Sequence, residues 1–297
     1  MNAAELEELL IRWSRPSSDD EVEQQERAMR MVTDCIAGSD LANVPKRIYA
    51  KGSYANNTNV RLDSDVDIAV DCHDCMYYES HESVSPKAAL PAYMGPWTPA
   101  TWRSAIIDAC RQKFGRDVDP SGSIAIHIAR VEGSRPNIDV VPGFHHRKYF
   151  SAAQERFEDG SKVFPTSGDP IVNWPDQQLR NGRAKNDATH KRYKGFVRVL
   201  KNAENRLVEL GSISTKPSYL MECLVFNVRD STLDGGSWSD DLRATLVELW
   251  QGLTNESVWR SWLEPNRLKW AIVGSKVWSV SDARDVVKGS WNLLEFS

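Results

Sequence analysis
Residues 51–70 constrain this chain more than any other stretch. A Gly52-Ser53 pair leaves one apolar run, and two carboxylates, Asp65 and Asp67, alternate along the next. In a strand, residues two apart point to one face, so Asp65 and Asp67 present their oxygens together, roughly 6–7 Å apart at the backbone. Two hard carboxylates on one rigid edge can bridge a pair of Mg²⁺ ions spaced about 3.5–4 Å for in-line phosphoryl chemistry. Gly52 lets the backbone approach a ligand closely, because no Cβ intervenes. If Ser53 opens a helix, its amide and hydroxyl lie where phosphate oxygens bind best. Each half of the pattern is ordinary alone: Asp-x-Asp is common, and a Gly-Ser pair before a polar loop is usually a turn. The succession Gly52-Ser53, Thr58 and Ser64-Asp65-Val66-Asp67 in an apolar strand is far more specific, and it reads as a nucleoside triphosphate site.

At 297 residues the chain can bury a proper core, in one large domain or two packed lobes. A net charge of −4 and a pI near 5.9 argue against constitutive coating of nucleic acid, which needs a basic footprint. No run approaches the roughly 18–20 apolar residues of a membrane span, and the Glu-rich N-terminus is not a signal peptide. Five scattered cysteines, an odd number, suit a reducing cytosol better than a disulfide framework. The expectation is a soluble, cytoplasmic protein.

In chain order, residues 4–13 and 17–37 read as helices, the second with Ser17 or Ser18 as N-cap and Val22, Met29, Val32 and Ile36 at helical spacing. Residues 46–51 form a short strand into the Gly-Ser turn, and 65–71 form the carboxylate strand. Residues 72–97 are the least legible stretch, and the Ser, Pro and Gly between 80 and 97 mark a loop, a lid or an insertion. Cys72-x-x-Cys75 with His73 and His81 has a zinc flavour but lacks a second ligand pair, so idle buried cysteines are the plainer reading. Thr98 with Pro99 starts a helix over 99–114. A hairpin follows, 123–129 out and 137–142 back, and it places Asp139 mid-strand among apolar residues. There an unpaired carboxylate would cost several kcal/mol. A neighbouring amide or Arg is the bland way to satisfy it, and His127 on the outgoing strand reads as a packed residue rather than a catalyst.

Residues 143–188 read as a polar, irregular crossover containing Asn173. In 189–210, Tyr193, Phe196, Val197, Leu200, Ala203 and Leu207 make one apolar helical stripe. Beside it Lys194, Arg198 and Lys201 stack at i, i+4 and i+7. Such a stripe is usually a solvated face, yet no acidic residue is spaced along the helix to relieve all three. Pro217 opens another helix, which puts Ser218 among free backbone amides and Tyr219 beside it. Beyond residue 230 lie seven of the eleven tryptophans, a density that marks packing rather than base stacking. A last helix is expected over roughly 280–295.

The ordered motif at 52–70 resembles the DNA polymerase beta superfamily of nucleotidyltransferases. Within it, the chain is similar to the bacterial relatives of cyclic GMP–AMP synthase, the CD-NTases, including their E-type branch. They make cyclic oligonucleotide signals in anti-phage defence. The resemblance is strong over 52–70 and 137–142, moderate over 189–226, and weak over 72–122 and after 230. It implies an α+β fold: a catalytic lobe with a small mixed sheet over 1–150 and a helical lobe over 151–297. The N-terminal helices cross to the other lobe, and nucleotides lie in a central cleft.

By the same resemblance Asp139 is the third carboxylate, joining Asp65 and Asp67 on two Mg²⁺ ions for which Mn²⁺ can substitute. Gly52, Ser53, Lys201 and Ser218 serve the triphosphate, Tyr219 the donor base, and Asn173 is a candidate for a base edge or a turn cap. The substrates implied are ATP, GTP, UTP or CTP, and the product a cyclic di- or oligonucleotide. Lacking an obvious zinc thumb and a basic DNA-binding surface, the chain is expected to be a monomer that is constitutively active or controlled by a partner protein, not by DNA. A linear oligonucleotide synthase, a nucleotidyltransferase acting on RNA or protein, and a silent nucleotide-binding scaffold stay open as alternatives.

Overall fold
A computed structural model describes residues 2–16, 18–60, 65–80 and 92–296. The chain opens with α1 (Ala3–Ser14), α2 (Asp19–Ala37), β1 (Lys46–Ala50), α3 (Gly52–Asn56), β2 (Val66–Ser80) and α4 (Pro99–Phe114). Strands β3 (Val118–Asp119), β4 (Ile126–Ile128), β5 (Ile138–Tyr149), β6 (Phe157–Val163) and β7 (Ile171–Asn173) follow. Helices complete it: α5 (Pro175–Ala188), α6 (Arg192–Glu209), α7 (Ser218–Phe226), α8 (Asp230–Leu233), α9 (Trp238–Thr254), α10 (Glu256–Trp259) and α11 (Val280–Leu293). The fold is α+β. Two compact units divide it, one of Ser18–Ala55 and Arg61–Pro175, the other of Met1–Ser17, Asn56–Val60 and Asp176–Ser297.

The first unit is built on one sheet with strand order β1-β2-β5-β4-β3, with β6 on β5 and β7 on β6. Strand β5 is its hub. On one edge it runs parallel to β2 from Val66↔Ile138 to Ser80↔Tyr149. On the other, β4 takes residues 138–140 and β6 takes 143–149, both antiparallel. Pro142, which has no N–H to give, falls in the gap between those two pairings. One face of the sheet is apolar: Val66, Ile68, Val70 and Cys72 of β2 and Ile138, Val140 and Phe144 of β5 pack with Val32 and Ile36 of α2 and Trp102, Ile106 and Cys110 of α4. Burying each large side chain contributes about 1.5–3 kcal/mol. Helix α4 starts where its sequence says, with a Thr98–Thr101 capping box and Pro99 in the first turn.

Several expectations are corrected. Strand β2 does not stop at 71 but continues to Ser80 through an irregularity between Cys72 and Met76, because β5 pairs with it throughout. Of the expected lid, residues 81–91, with His81, lie outside the described residues. The stretch from 143 is not irregular: it continues β5, adds β6 and β7, and then forms α5. The sheet unit runs on to Pro175. All five cysteines are free and buried.

In the second unit α6 is central, with Tyr193, Phe196, Val197, Leu200, Ala203 and Leu207 buried as the stripe requires. Tyr193, Phe196, Val197 and Leu200 pack with Leu10 of α1, Leu220 and Leu224 of α7, Leu246 and Leu249 of α9, and Val286 and Val287 of α11. Trp262 is buried, and Trp238, Trp259, Trp278 and Trp291 pack at the margin, while Trp250 and Trp270 are exposed. No described helix is long and apolar enough to cross a membrane.

Candidate active site
The face of the sheet opposite the apolar core carries the carboxylates. In strand pairs, residues opposite each other share a face. Asp67 of β2 lies opposite Asp139 of β5, and Asp139 lies opposite His127 of β4. Three adjacent strands therefore set Asp67, Asp139 and His127 in one row. Asp65 sits just before β2, where the Val66 amide donates to the Asn137 carbonyl and the Asn137 side chain bonds the Asp65 carboxylate.

His127 Nδ1 and Asp139 Oδ1 are 2.9 Å apart, and both side chains are open to solvent, at 38% and 27% exposure. One ligating atom each of Asp65, His127 and Asp139 can be chosen such that all lie within 4.8 Å of one another. Among the described residues this is the one such group of three or more. Burial raises the Asp65 carboxyl, the Asp139 charge adds to this, and His127 and Asn137 oppose it. Burial pushes Asp67 up to about 6, with Asp139 and Asp65 adding and Lys51 opposing. Asp65 and Asp67 stay raised despite the opposing charges of His127 and Lys51, and oxygen donors with one imidazole suit a divalent cation. The residues fit a metal site.

Gly52 is placed against this row. It has φ +72°, and a Cβ there would stand 2.2 Å from Asp67 Oδ2. Its role in the structure is to let the β1–α3 turn close on the carboxylate itself. Ser53 follows in the one-turn helix α3. The Lys51 amide donates to the Asp67 carbonyl at 2.9 Å, which fixes the turn to β2.

Behind the row, buried Asp71 accepts from Tyr49 Oη and Ser161 Oγ, each at 2.9 Å, and burial pushes it up to about 6. Gly143, opposite it on β5, leaves the room: a Cβ would stand 2.0 Å from Asp71 Oδ1. Asn173 is not with the carboxylates. It pairs with Ser161 of β6, itself opposite His145, on the order of 20 Å further along β5 than Asp139.

Lys201, Ser218 and Tyr219 belong to the helical unit. The Lys201 ammonium is 4% exposed and donates to the Thr58 carbonyl at 2.9 Å and its hydroxyl at 3.3 Å. Arg198 donates to the carbonyls of Ser14 and Asn57. Burial pulls Lys201 down to about 8, and the charge of buried Glu222 on α7 opposes that. The counter-charge missing along α6 thus comes from another helix. Ser218 is exposed as the first residue of α7. Tyr219 is half-buried, its hydroxyl donating to Glu264 Oε2 at 3.3 Å and its ring edge-on to Trp278.

His127 and Asn137 are the site residues that the sequence reading passed over. A signal for His127 was present: strict alternation in 123–129 puts it opposite the apolar Ile126 and Ile128, on the face that carries Asp139. Cys72 and Cys75 are buried beside the β2 irregularity, and among the described residues they belong to no such group.

Residues 180–295 match the family described as the cGAS/DncV-like nucleotidyltransferase C-terminal helical domain. Across 97% of the chain and 98% of the relative, the sequence is 31% identical to a cyclic dipyrimidine nucleotide synthase, CdnE, of Legionella pneumophila. A cyclic dipurine nucleotide synthase of Elizabethkingia meningoseptica is 30% identical, with 98% of each covered. Among solved structures, Elizabethkingia meningoseptica CdnE with GTP and Apcpp superposes with a TM-score of 0.81 at 28% identity, covering 98% of this chain and 99% of that one. Rhodothermus marinus CdnE c-UMP-AMP synthase, with Apcpp and Upnpp, has the same fold, at a TM-score of 0.82 and 24% identity over 99% and 97%.

Proposed function
The chain belongs to the CD-NTase family of nucleotidyltransferases, in its E-type branch of cyclic dinucleotide synthases, and on that premise we propose that it joins ribonucleoside triphosphates into a cyclic di- or oligonucleotide with release of pyrophosphate. The observation that carries this is the row of Asp67, Asp139 and His127 on one sheet face, with Asp65 beside it. A scaffold that only bound nucleotides would gain little from three clustered carboxylates without a metal.

Asp65, Asp67 and Asp139 would hold two divalent cations, Mg²⁺ or Mn²⁺. When bound, these supply the positive charge that makes a ribose hydroxyl nucleophilic and stabilises the departing pyrophosphate. The chain's own residues do the rest. Gly52 and Ser53 carry the triphosphate close to Asp67, with the Ser53 hydroxyl donating to a phosphate oxygen. Asp139 accepts the proton as the hydroxyl oxygen attacks the α-phosphorus and the bond to the β-phosphate breaks. Lys201, mostly charged at neutral pH, adds positive potential, the Ser218 hydroxyl and amide take phosphate oxygens, and the Tyr219 ring stacks on the donor base. Asn173, remote from the carboxylates along the sheet, is assigned to a base edge. A second transfer with the roles exchanged closes the ring.

Two relatives of almost equal identity make dipyrimidine and dipurine products, so overall similarity does not choose the bases. Purified protein with four labelled ribonucleoside triphosphates and Mg²⁺ or Mn²⁺, followed by phosphatase and mass spectrometry, tests the proposal. A phosphatase-resistant cyclic product, absent from Asp65→Ala/Asp67→Ala, supports it and names the bases. Trimmed linear products, or none, overturn it. We assign the product to anti-phage signalling; survival of a phage-challenged host carrying wild type but not Asp65→Ala is the expected result.

A further inference from the structure
Histidine at a carboxylate metal centre is either a strut or a ligand, and three observations bear on His127. Its imidazole is not a core group: at 38% side-chain exposure it stands open beside Asp139. Its Nδ1 is 2.9 Å from Asp139 Oδ1, and it joins Asp65 and Asp139 in a group whose ligating atoms span at most 4.8 Å. Two ligands bound at right angles to one ion, with bonds of about 2.1–2.2 Å, lie about 3 Å apart, and opposed ones about 4.3 Å. The 2.9 Å pair matches neighbouring ligands of one ion, and the 4.8 Å limit on the whole group lies within about 0.5 Å of the opposed-ligand span.

The strand is also held in place. Asp119 of β3 lies opposite His127 on the far side from Asp139. The loop leading into β4 is gripped by Arg103 of α4, which donates to the carbonyls of Pro120, Gly122, Ile124 and Ala125. A ring anchored this way reaches an ion without a large ordering cost.

Resting on the metal-dependent reading above, we propose that His127 Nδ1 is a ligand of the cation shared by Asp65 and Asp139, making one site a mixed oxygen–nitrogen centre that prefers Mn²⁺ to Mg²⁺. The chemistry sets the preference. Mg²⁺ takes oxygen almost exclusively and gives up water reluctantly, whereas Mn²⁺ accepts imidazole nitrogen readily. Asp67, which lies outside the mixed group, leaves the other cation an all-oxygen site.

Electron spin-echo spectroscopy of the full-length protein loaded with Mn²⁺ alone tests this, because a directly bound imidazole couples its ¹⁴N to the manganese. The expected result is a ¹⁴N modulation in the wild type that disappears in His127→Asn, whose amide can still hydrogen-bond Asp139. In the same variant the ratio of Mg²⁺ to Mn²⁺ dissociation constants should fall about tenfold or more. Bound Mn²⁺ that is lost in Asp65→Ala but shows no nitrogen modulation in the wild type overturns the proposal, as does wild type that binds no Mn²⁺. The two readings fail separately: cyclic product in Mg²⁺ without nitrogen modulation would sink the ligand and leave the enzyme, and modulation without product would do the reverse.

Discussion
The two units treat clustered like charges in opposite ways. In the sheet unit, Asp65, Asp67 and Asp139 lie together, and Asp65 and Asp67 are raised by burial and by neighbouring carboxylates, Asp139 above all. In the helical unit, Lys194, Arg198 and Lys201 also stack on one face, but carbonyls of Ser14, Asn57 and Thr58 take the donors and buried Glu222 supplies the opposite charge. One cluster keeps raised carboxylates and could hold a metal ion; the other is largely satisfied from within. Charge repulsion read along a sequence does not tell the two apart. The third dimension does, by showing whether the counter-charge is already in the protein.

The contrast breaks most visibly at the carboxylates. Asp65→Ala or Asp139→Ala should lower product formation at least ~10³-fold with little change in the unfolding midpoint of the metal-free protein, measured by initial rates and urea titration. Lys201→Met should behave the other way, as a stability variant. It removes the charge that does most to hold the buried Glu222 carboxyl down and should lose about 3 kcal/mol in urea unfolding; an unchanged midpoint with a large activity loss would return Lys201 to the triphosphate alone.

Gly52→Ala comes next. The added Cβ meets Asp67 at a position with positive φ, so activity should fall about 100-fold, with a stability loss of about 1–2 kcal/mol. The smallest effect is a gain. Because burial holds Asp67 up at about 6, its protonated form stabilises the metal-free fold fully below about pH 4, and this is lost as pH rises through 6. Asp67→Asn should therefore be about 2 kcal/mol more stable than wild type at pH 8 in chelator, equal to it at pH 4, and inactive at both.

Much of the fold and site was legible in the chain. Period-2 alternation through Asp65 and Asp67, and again around Asp139, found the carboxylates, because a charged residue inside an apolar strand is costly unless a cation or a donor meets it. The α6 stripe and the Thr98–Pro99 start were equally plain. What failed were features decided by distant pairing. Residues 72–80 carry no clear strand pattern until β5 is laid beside them, and 143–149 look irregular because Pro142 marks a break that β5 bridges between β4 and β6. His127 and Glu222 were missed for the same reason: each gains its meaning from a residue on another element.

The parallel pairing of β2 with β5 also sets a timetable. Val66 meets Ile138, about 70 residues later in the chain, so at ~5–20 residues per second a ribosome needs about 4–14 s between making the first two carboxylates and the third. Strand β1 can cover one edge of β2 at once, since both have already emerged. The other edge, 15 residues of strand in all, waits open, and an open edge is where nascent chains find one another. Over the same seconds the newborn sheet lacks its third carboxylate and keeps an open edge, and the arrival of β5 ends both conditions together.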